Sequence, residues 1–417
     1  MSLSYLGRRI PTLSDVDVEG KTVLLRVDIN SPIGGNGEIL DDTRFKAHIP
    51  TIRELMERNA KIVILAHQGR PFGSDFTRLE AHAKKLSELL GGDVGFVPDL
   101  IGPAAKKAVN SLRPGQVLLL DNTRLYSEES REAPPEELVK TILARELASM
   151  GDIYVNDAFA VSHRSQVTVA GIPRLLPSAA GRLLEKEIKA LSRALSVEES
   201  PKVFVLGGAK LKDTVKIISY LVTSGAADEI LTTGLVGLLF LMVSGINVGE
   251  ASKIIEKKVD EKTLNLARKL IAESNIIRVP LDFVAEVDSS TEVVMAHEII
   301  GAPKDIGPST IEYYSYKMAR AKVIVMRGPA GVIEDPRFRR GTRQLVEFAL
   351  SSTKAYTIFG GGHFNAILSE LPDELKERVG HVSTGGGALL YFLSGRILPG
   401  LEALISPSKD RLKDRGK

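Results

Sequence analysis

Nine times along this chain a short apolar, β-branched run gives way to a loop of Gly, Asp, Asn, His or Arg and then to a helix-length amphipathic stretch. In the first half, residues 22–27 run into DINSP, 61–66 into HQGRP, 116–120 into DNTRLY and 152–155 into NDAFAVSHR. In the second half, 202–206 run into GGAKLKD, 229–231 into TTG, 322–326 into RGPAGVIE, 355–359 into GGGH and 381–383 into TGGG. Strands without polar alternation are buried on both faces. Their alternation with helices, such as those predicted over 80–90 and 253–274, makes the sheets parallel. The fold class is therefore α/β.

Nine strand-helix units in 417 residues exceed one ordinary core, which places a boundary near the middle. The segment AGIPRLLPS (170–178) carries two prolines, and Ser178 is positioned to cap a helix running to about Leu195. Leu183, Leu184, Ile188 and Leu191 would form its apolar face. The expected arrangement is two Rossmann-like three-layer domains, 1–175 and 197–397, joined by a linker helix and hinge over 176–196.

Composition removes several classes of function. With 55 Lys plus Arg against 52 Asp plus Glu, both signs spread throughout, the dense basic footprint of a nucleic-acid binder is missing. No cysteine is present, so disulfides, thiolate metal sites and a Cys nucleophile are excluded. The N-terminus has no apolar signal-peptide core, and a cytoplasmic location is expected. Residues 230–248 are uncharged and long enough to span a bilayer, yet only 12 of the 19 are strongly apolar, which predicts a buried strand, turn and helix instead.

Ligands of open α/β sheets bind beyond the carboxyl ends of the strands. The early loops offer Asp28, Asn30, His67, Arg70, Arg124, His163 and Arg164, a set suited to a small anion bearing carboxylate and phosphate. The later loops offer Gly207, Gly208, Gly234, Gly328, Gly331, Gly360 to Gly362 and Gly385 to Gly387, whose bare amides can approach phosphate oxygens. Neither a GxxxxGK[ST] loop nor a dinucleotide GxGxxG turn is present. An Arg/His-rich half and a Gly-rich half imply two phosphate-bearing ligands and transfer between them.

In order along the chain, RVDIN, DDTRFKAHIPTI, HQGRP, VNDAF with HR, LGGAK, GPAGVIE, FGGGH and HVSTGGGA resemble phosphoglycerate kinase, and FGGGH is similar to its archaeal members. The resemblance implies reversible phosphoryl transfer between ATP and 3-phosphoglycerate, giving 1,3-bisphosphoglycerate and ADP in glycolysis and gluconeogenesis, with Mg²⁺ accompanying the nucleotide. It implies that the first domain binds the glycerate through Asp28, Ile29, Asn30, Arg44, His67, Gln68, Gly69, Arg70, Arg124 and Arg164. The second would bind nucleotide through Gly208, Ala209, Lys210, Glu334, Gly360, Gly361, Gly362 and His363. Hinge closure would bring the substrates together, and residues 398–417 would return to the first domain. Arg44 and Lys210 are the implied catalytic cations. Neither a nucleic-acid nor a membrane partner is expected.

The chain departs from the family pattern at two positions. Thr214 stands where many members carry a second lysine, and Arg327 is the candidate to supply that charge from a neighbouring strand end. His363 stands where many carry an aspartate that reaches toward Mg²⁺, and imidazole is a poor ligand for that hard ion. Two other readings stay open: a kinase for another small acid, with Gln68 as a specificity point, and a noncatalytic clamp for phosphorylated ligands.

Overall fold

In the computed structural model, which describes residues 3–405, the chain divides into two compact units. One runs up to Lys189 and resumes at Ile397; the other spans Ala190–Arg396. The division falls inside the helix Arg182–Leu195, within the segment expected to link two domains.

The first unit is built on six parallel strands: β1 (Thr22–Arg26), β2 (Lys61–Leu65), β3 (Val94–Val97), β4 (Val117–Leu120), β5 (Ile153–Asn156) and β6 (Ser178–Ala180), in the order β3-β4-β2-β1-β5-β6. Val23, Leu24 and Leu25 are consecutive and all fully buried, as strands covered on both faces require. One face packs against Phe45, Ile52 and Leu55 of the helix Thr43–Glu57 and against Leu86 of Glu80–Leu90. The short β3, which contains Gly95, and β6 carry too little apolar sequence to stand out beforehand.

Residues 397–405 rejoin this unit. Leu398, Leu401 and Leu404 of this segment are buried, the Leu398 N–H donates to the Tyr5 hydroxyl (3.0 Å) and the Gly400 N–H to the Ser162 carbonyl (2.9 Å). Any Cβ at Gly400 would crowd Ser162 and Val169, so the returning chain lies directly on the older one. The return was expected over 398–417; residues 397–405 group with this unit, and 406–417 lie outside the described residues.

The second unit has β7 (Lys202–Leu206), β8 (Glu229–Thr232), β9 (Ile277–Arg278), β13 (Val323–Arg327), β14 (Tyr356–Gly360) and β15 (His381–Ser383), all parallel in the order β9-β8-β7-β13-β14-β15. A separate antiparallel sheet of β10 (Asp282–Val287), β11 (Ser290–Met295) and β12 (Ala302–Ile306) was not expected from the sequence. Its strands mix charged and apolar residues, β12 contains Pro303, and a register shift falls between Val284 and Ala285. The uncharged stretch 230–248 resolves into β8 and the short helix Gly234–Val243. Among the described residues no helix is long and apolar enough to cross a membrane.

Two expectations are corrected. The helix predicted over 253–274 is two helices, Ala251–Lys258 and Glu261–Glu273, because Asp260 is extended and its carboxylate caps the second by accepting the Thr263 N–H (2.9 Å). Ser178 caps nothing: it opens β6, and the helix begins only at Arg182. Its first N–H groups are met from a distance in sequence, those of Leu183 and Leu184 donating to Asp157 Oδ1 (2.9 and 3.4 Å).

Arg182 also pins this helix to Thr43–Glu57. Its Nε and Nη2 donate to both Glu54 carboxylate oxygens (2.6 and 2.8 Å), and its backbone N–H donates to Thr51 Oγ1 (3.0 Å). The hydrogen bonds from Arg182 hold Glu54 below the usual carboxylate range, so this stabilisation is present at neutral pH and lost as pH falls through the depressed pKa. Arg182→Lys keeps the charge but breaks the fork. It should destabilise the protein by about 1 kcal/mol at pH 7 in denaturant unfolding, with the difference from wild type vanishing in acid.

Candidate functional site

Because every strand in a parallel sheet ends on the same edge, chain connectivity gathers the loops singled out in the sequence. In the first unit they follow β4, β2, β1 and β5, four adjacent strands. The resulting site is woven together by hydrogen bonds. Arg44 pairs with the Asp28 carboxylate. Asn30 Oδ1 accepts the Gly69 N–H (2.8 Å), and Arg124 donates to the Gly69 carbonyl. Gly69, at φ +65°, has no space for a Cβ against the Asp75 and Phe76 backbone. Ile29 is fully buried and can offer a ligand only its backbone, whereas Arg70 is exposed.

His67 lies at the centre of the positive charge. Its Nδ1 accepts from buried Arg26 Nη2 (3.1 Å), which leaves the Nε2 hydrogen as donor. Arg26 is itself oriented by Thr168 Oγ1, which accepts from its Nε (2.9 Å) and donates to buried Glu129. Burial, reinforced by Arg26, Arg124, Arg164 and Arg44, drives the His67 pKa well below its ordinary value. Burial likewise lowers Arg124 to about 10, with Arg164, Arg26 and Arg70 adding to the effect and Glu129 opposing it. Guanidiniums that repel one another around a neutral imidazole form a site that an anion would stabilise.

Gln68 does not have the role expected of it. The residue is fully buried, its amide donates to the Ser31 and Asp75 carbonyls (2.9 and 3.2 Å), and its Oε1 meets the Ser31 N–H and His82 Nε2 (both 3.0 Å). With its hydrogen-bonding capacity taken up inside the protein, the side chain is a brace between the loops after β1 and β2 rather than a ligand or a point of acid specificity.

In the second unit the glycine loops follow the adjacent strands β8, β7, β13, β14 and β15. They surround a cavity of about 520 Å³, lined by all the residues expected to bind nucleotide: Gly208, Ala209, Lys210, Glu334 and Gly360 to His363. The loops after β7 and β13 interlock backbone to backbone, the Gly207 N–H donating to the Arg327 carbonyl (2.8 Å) and the Gly208 N–H to the Pro329 carbonyl (3.0 Å). Gly328, at φ +74°, lies where a Cβ would strike the Gly207 carbonyl. The cavity lining also includes apolar Leu235, Leu238, Ile254, Phe283 and Val332.

Polar groups line the cavity too. Lys210 is exposed at the start of the helix Leu211–Ser224, where the helix dipole is positive. Arg327 is buried, its pKa lowered to about 10 by desolvation, and its Nη1 donates to Thr214 Oγ1 (3.2 Å). The guanidinium thus reaches the helix position where a lysine is missing. Lys212, on the other side of that helix, pairs with Asp260 (2.8 Å). His363 Nε2 is 3.6 Å from a Glu334 oxygen. Among the described residues no cluster of three or more His, Asp or Glu is placed to hold a metal.

Sequence reasoning missed several contributors. Asp305 lines the cavity, accepts the Gly341 and Ile306 N–H groups (2.7 and 2.9 Å) and is raised to about 7 by burial. It lies on β12, a strand the pattern did not reveal. Arg26 and Asp157 were visible inside RVDIN and VNDAF, yet nothing in the spacing indicated that they would be buried.

The phosphoglycerate kinase family model matches residues 13–396. The chain is 56% identical to phosphoglycerate kinase of Aeropyrum pernix over 98% of its own length and 99% of the relative's. It is 48% identical to that of Saccharolobus solfataricus, covering 95% and 97%. Among solved structures, the phosphoglycerate kinase of Pyrococcus horikoshii superposes with a TM-score of 0.86 at 38% identity, covering 96% of this chain and all of that one.

The buried histidines make stability depend on acid. His82, which touches Gln68, is lowered to about 4 by burial, and His67 is lowered too. The unfolded imidazoles bind protons near 6.5 while the folded ones do not, so stability should fall as pH drops below that value. By pH 4 His82 alone would account for about 3 kcal/mol. Urea unfolding across pH 4 to 7 should show this slope, shallower by up to one proton in His82→Gln.

Proposed function

Since this chain belongs to the phosphoglycerate kinase family and transfers a phosphoryl group from ATP to the carboxylate of 3-phosphoglycerate, we propose that the guanidinium-rich loops of the first unit hold the acid and the glycine-lined cavity of the second holds the nucleotide. The observation that carries this assignment is the convergence of four arginines on His67 at the ends of adjacent strands. Arg124, Arg164 and Arg70 grip the substrate phosphate, a dianion that relieves their mutual repulsion. Asp28 and Asn30 orient the glycerate, and His67 donates its Nε2 hydrogen.

The acid's carboxylate is ionised at neutral pH and needs no general base. One of its oxygens forms a bond to the γ-phosphorus as the bond to the β,γ-bridging oxygen breaks, and ADP leaves. With so little covalent work for the protein, catalysis consists of in-line alignment and cations placed beside the equatorial oxygens. We assign the latter to Arg44, Lys210 and Arg327, with the amides of Gly360 to Gly362 cradling the phosphate chain. Glu334 faces the ribose hydroxyls, and the apolar side chains of the lining take the base.

Among the described residues no cluster of carboxylates or histidines forms a closed cage for magnesium. A Mg²⁺ that arrives with the nucleotide would be held by phosphate oxygens and water, which suits an ion that keeps much of its hydration. His363 then interacts with Glu334 rather than with metal. The place of action we infer is the cytoplasm, where glycolytic acids are found.

Substitution separates these roles. Arg44→Ala or Lys210→Ala should lower kcat by about 10²- to 10³-fold, the usual cost of deleting a donor to developing charge. Arg327→Asn should lower kcat at least about tenfold, while Arg327→Lys, which keeps the charge, recovers part of it. Steady-state assays in the ATP-consuming direction measure all four; unchanged turnover in Arg44→Ala or Arg327→Asn would remove that residue from the mechanism.

A further inference from the structure

Within the first unit one fully buried histidine remains outside the chemistry assigned so far. His48 lies on the helix Thr43–Glu57, one turn beyond Arg44, with its ring closed off from solvent. Its Nε2 accepts the backbone N–H of Asp28 (3.0 Å), so the ring hydrogen is on Nδ1, which donates to Asp157 Oδ2 (2.7 Å). The other oxygen of Asp157 caps the helix Arg182–Leu195 through the Leu183 and Leu184 N–H groups. A Cβ at Gly181 would collide with that oxygen, so the junction accepts no bulkier residue there.

Asp28 is the residue at risk. It follows β1, its carboxylate pairs with Arg44, and its Oδ1 also meets the Asn30 N–H (3.3 Å). Without an acceptor its own N–H would be buried and unsatisfied, and the loop would rotate to find one. Arg44 and His48 occupy one face of the same helix, four residues apart, so a single helix supplies the guanidinium to the Asp28 side chain and the imidazole to its backbone.

We infer that His48 is a positioning residue for 3-phosphoglycerate: it fixes the Asp28–Arg44 pair and fastens that pair, through Asp157, to the start of the helix by which the chain leaves this unit. This rests on the assignment of Asp28 and Arg44 to the acid site. It assigns His48 no contact with substrate and no proton transfer.

The test uses two amides that each keep one half of the imidazole's bonding. Asn places its amide nitrogen near the Nδ1 position and retains the bond to Asp157 but offers no acceptor to Asp28. Gln places its amide oxygen near the Nε2 position and retains the acceptor but loses the bond to Asp157. His48→Asn should raise KM for 3-phosphoglycerate about five- to tenfold, the value of one hydrogen bond, with KM for ATP unchanged. His48→Gln should keep KM for the acid within about twofold of wild type although its melting temperature falls as well. Equal KM values in the two variants, or KM tracking melting temperature, would overturn the inference. Should His48→Asn fail to fold, a raised KM for the acid in His48→Gln overturns it and a near-native one supports it. Asp28→Asn and Arg44→Ala run alongside: if neither weakens acid binding, the assignment of the acid site falls, whereas if both do and His48→Asn does not, only the role of His48 falls.

Discussion

Parallel strand pairing fixes where the chemistry of this protein can be. Every strand of each large sheet ends on one edge, so a loop that follows a strand has no alternative but to join the others there. Residues as far apart in sequence as Asp28 and Arg124, or Lys210 and His363, therefore share a site without any long-range signal in the chain. The ordering of strands sharpens this, because the loops singled out follow neighbouring strands and leave three of the four edge strands, β3, β6 and β9, without them.

The two units meet negative charge by different means. The first buries whole charges close together, and burial, with mutual repulsion added to it, displaces the titration of His67 and Arg124. The second offers glycine loops, tightest at Gly207 and Gly328 where a side chain has no room, together with Lys210 at a helix start and Arg327 from a strand end. The contact between Arg327 and Thr214 shows that a cation can be delivered to one place from another element. What matters for a charge-stabilising group is where its charge arrives.

Most of the fold could be read from the sequence because its strands are short, apolar and followed by distinctive loops. Boundaries of β1, β2 and β7 were within a residue or two, since burial on both faces leaves an unbroken hydrophobic run. The antiparallel strands β10 to β12 escaped because they are half-exposed and carry charge, as in DFVAEV and APKDI. Ser178 misled because a serine before a helical pattern usually caps it, whereas here the cap arrives from Asp157 across the fold. At the acid site, the residue types were legible but their burial was not: Gln68 and Arg70 stand two apart in HQGRP, and one is sealed inside while the other faces water. Local sequence specifies what a side chain can do; only tertiary packing specifies whether it is free to do it.

The segment from Ile397 back to the first unit has a consequence for biosynthesis. A ribosome makes the first unit nearly whole, then the entire second unit, before emitting the leucines that complete the first. At about 5–20 residues per second the interruption of roughly 200 residues lasts on the order of 10–40 s. Throughout that time the surface destined for Leu398, Leu401 and Leu404 is uncovered, and the nascent chain carries an unfinished apolar seam. The second unit, contiguous in sequence, has no such delay. Translation thus completes the second unit before the first, which residues 397–405 then close.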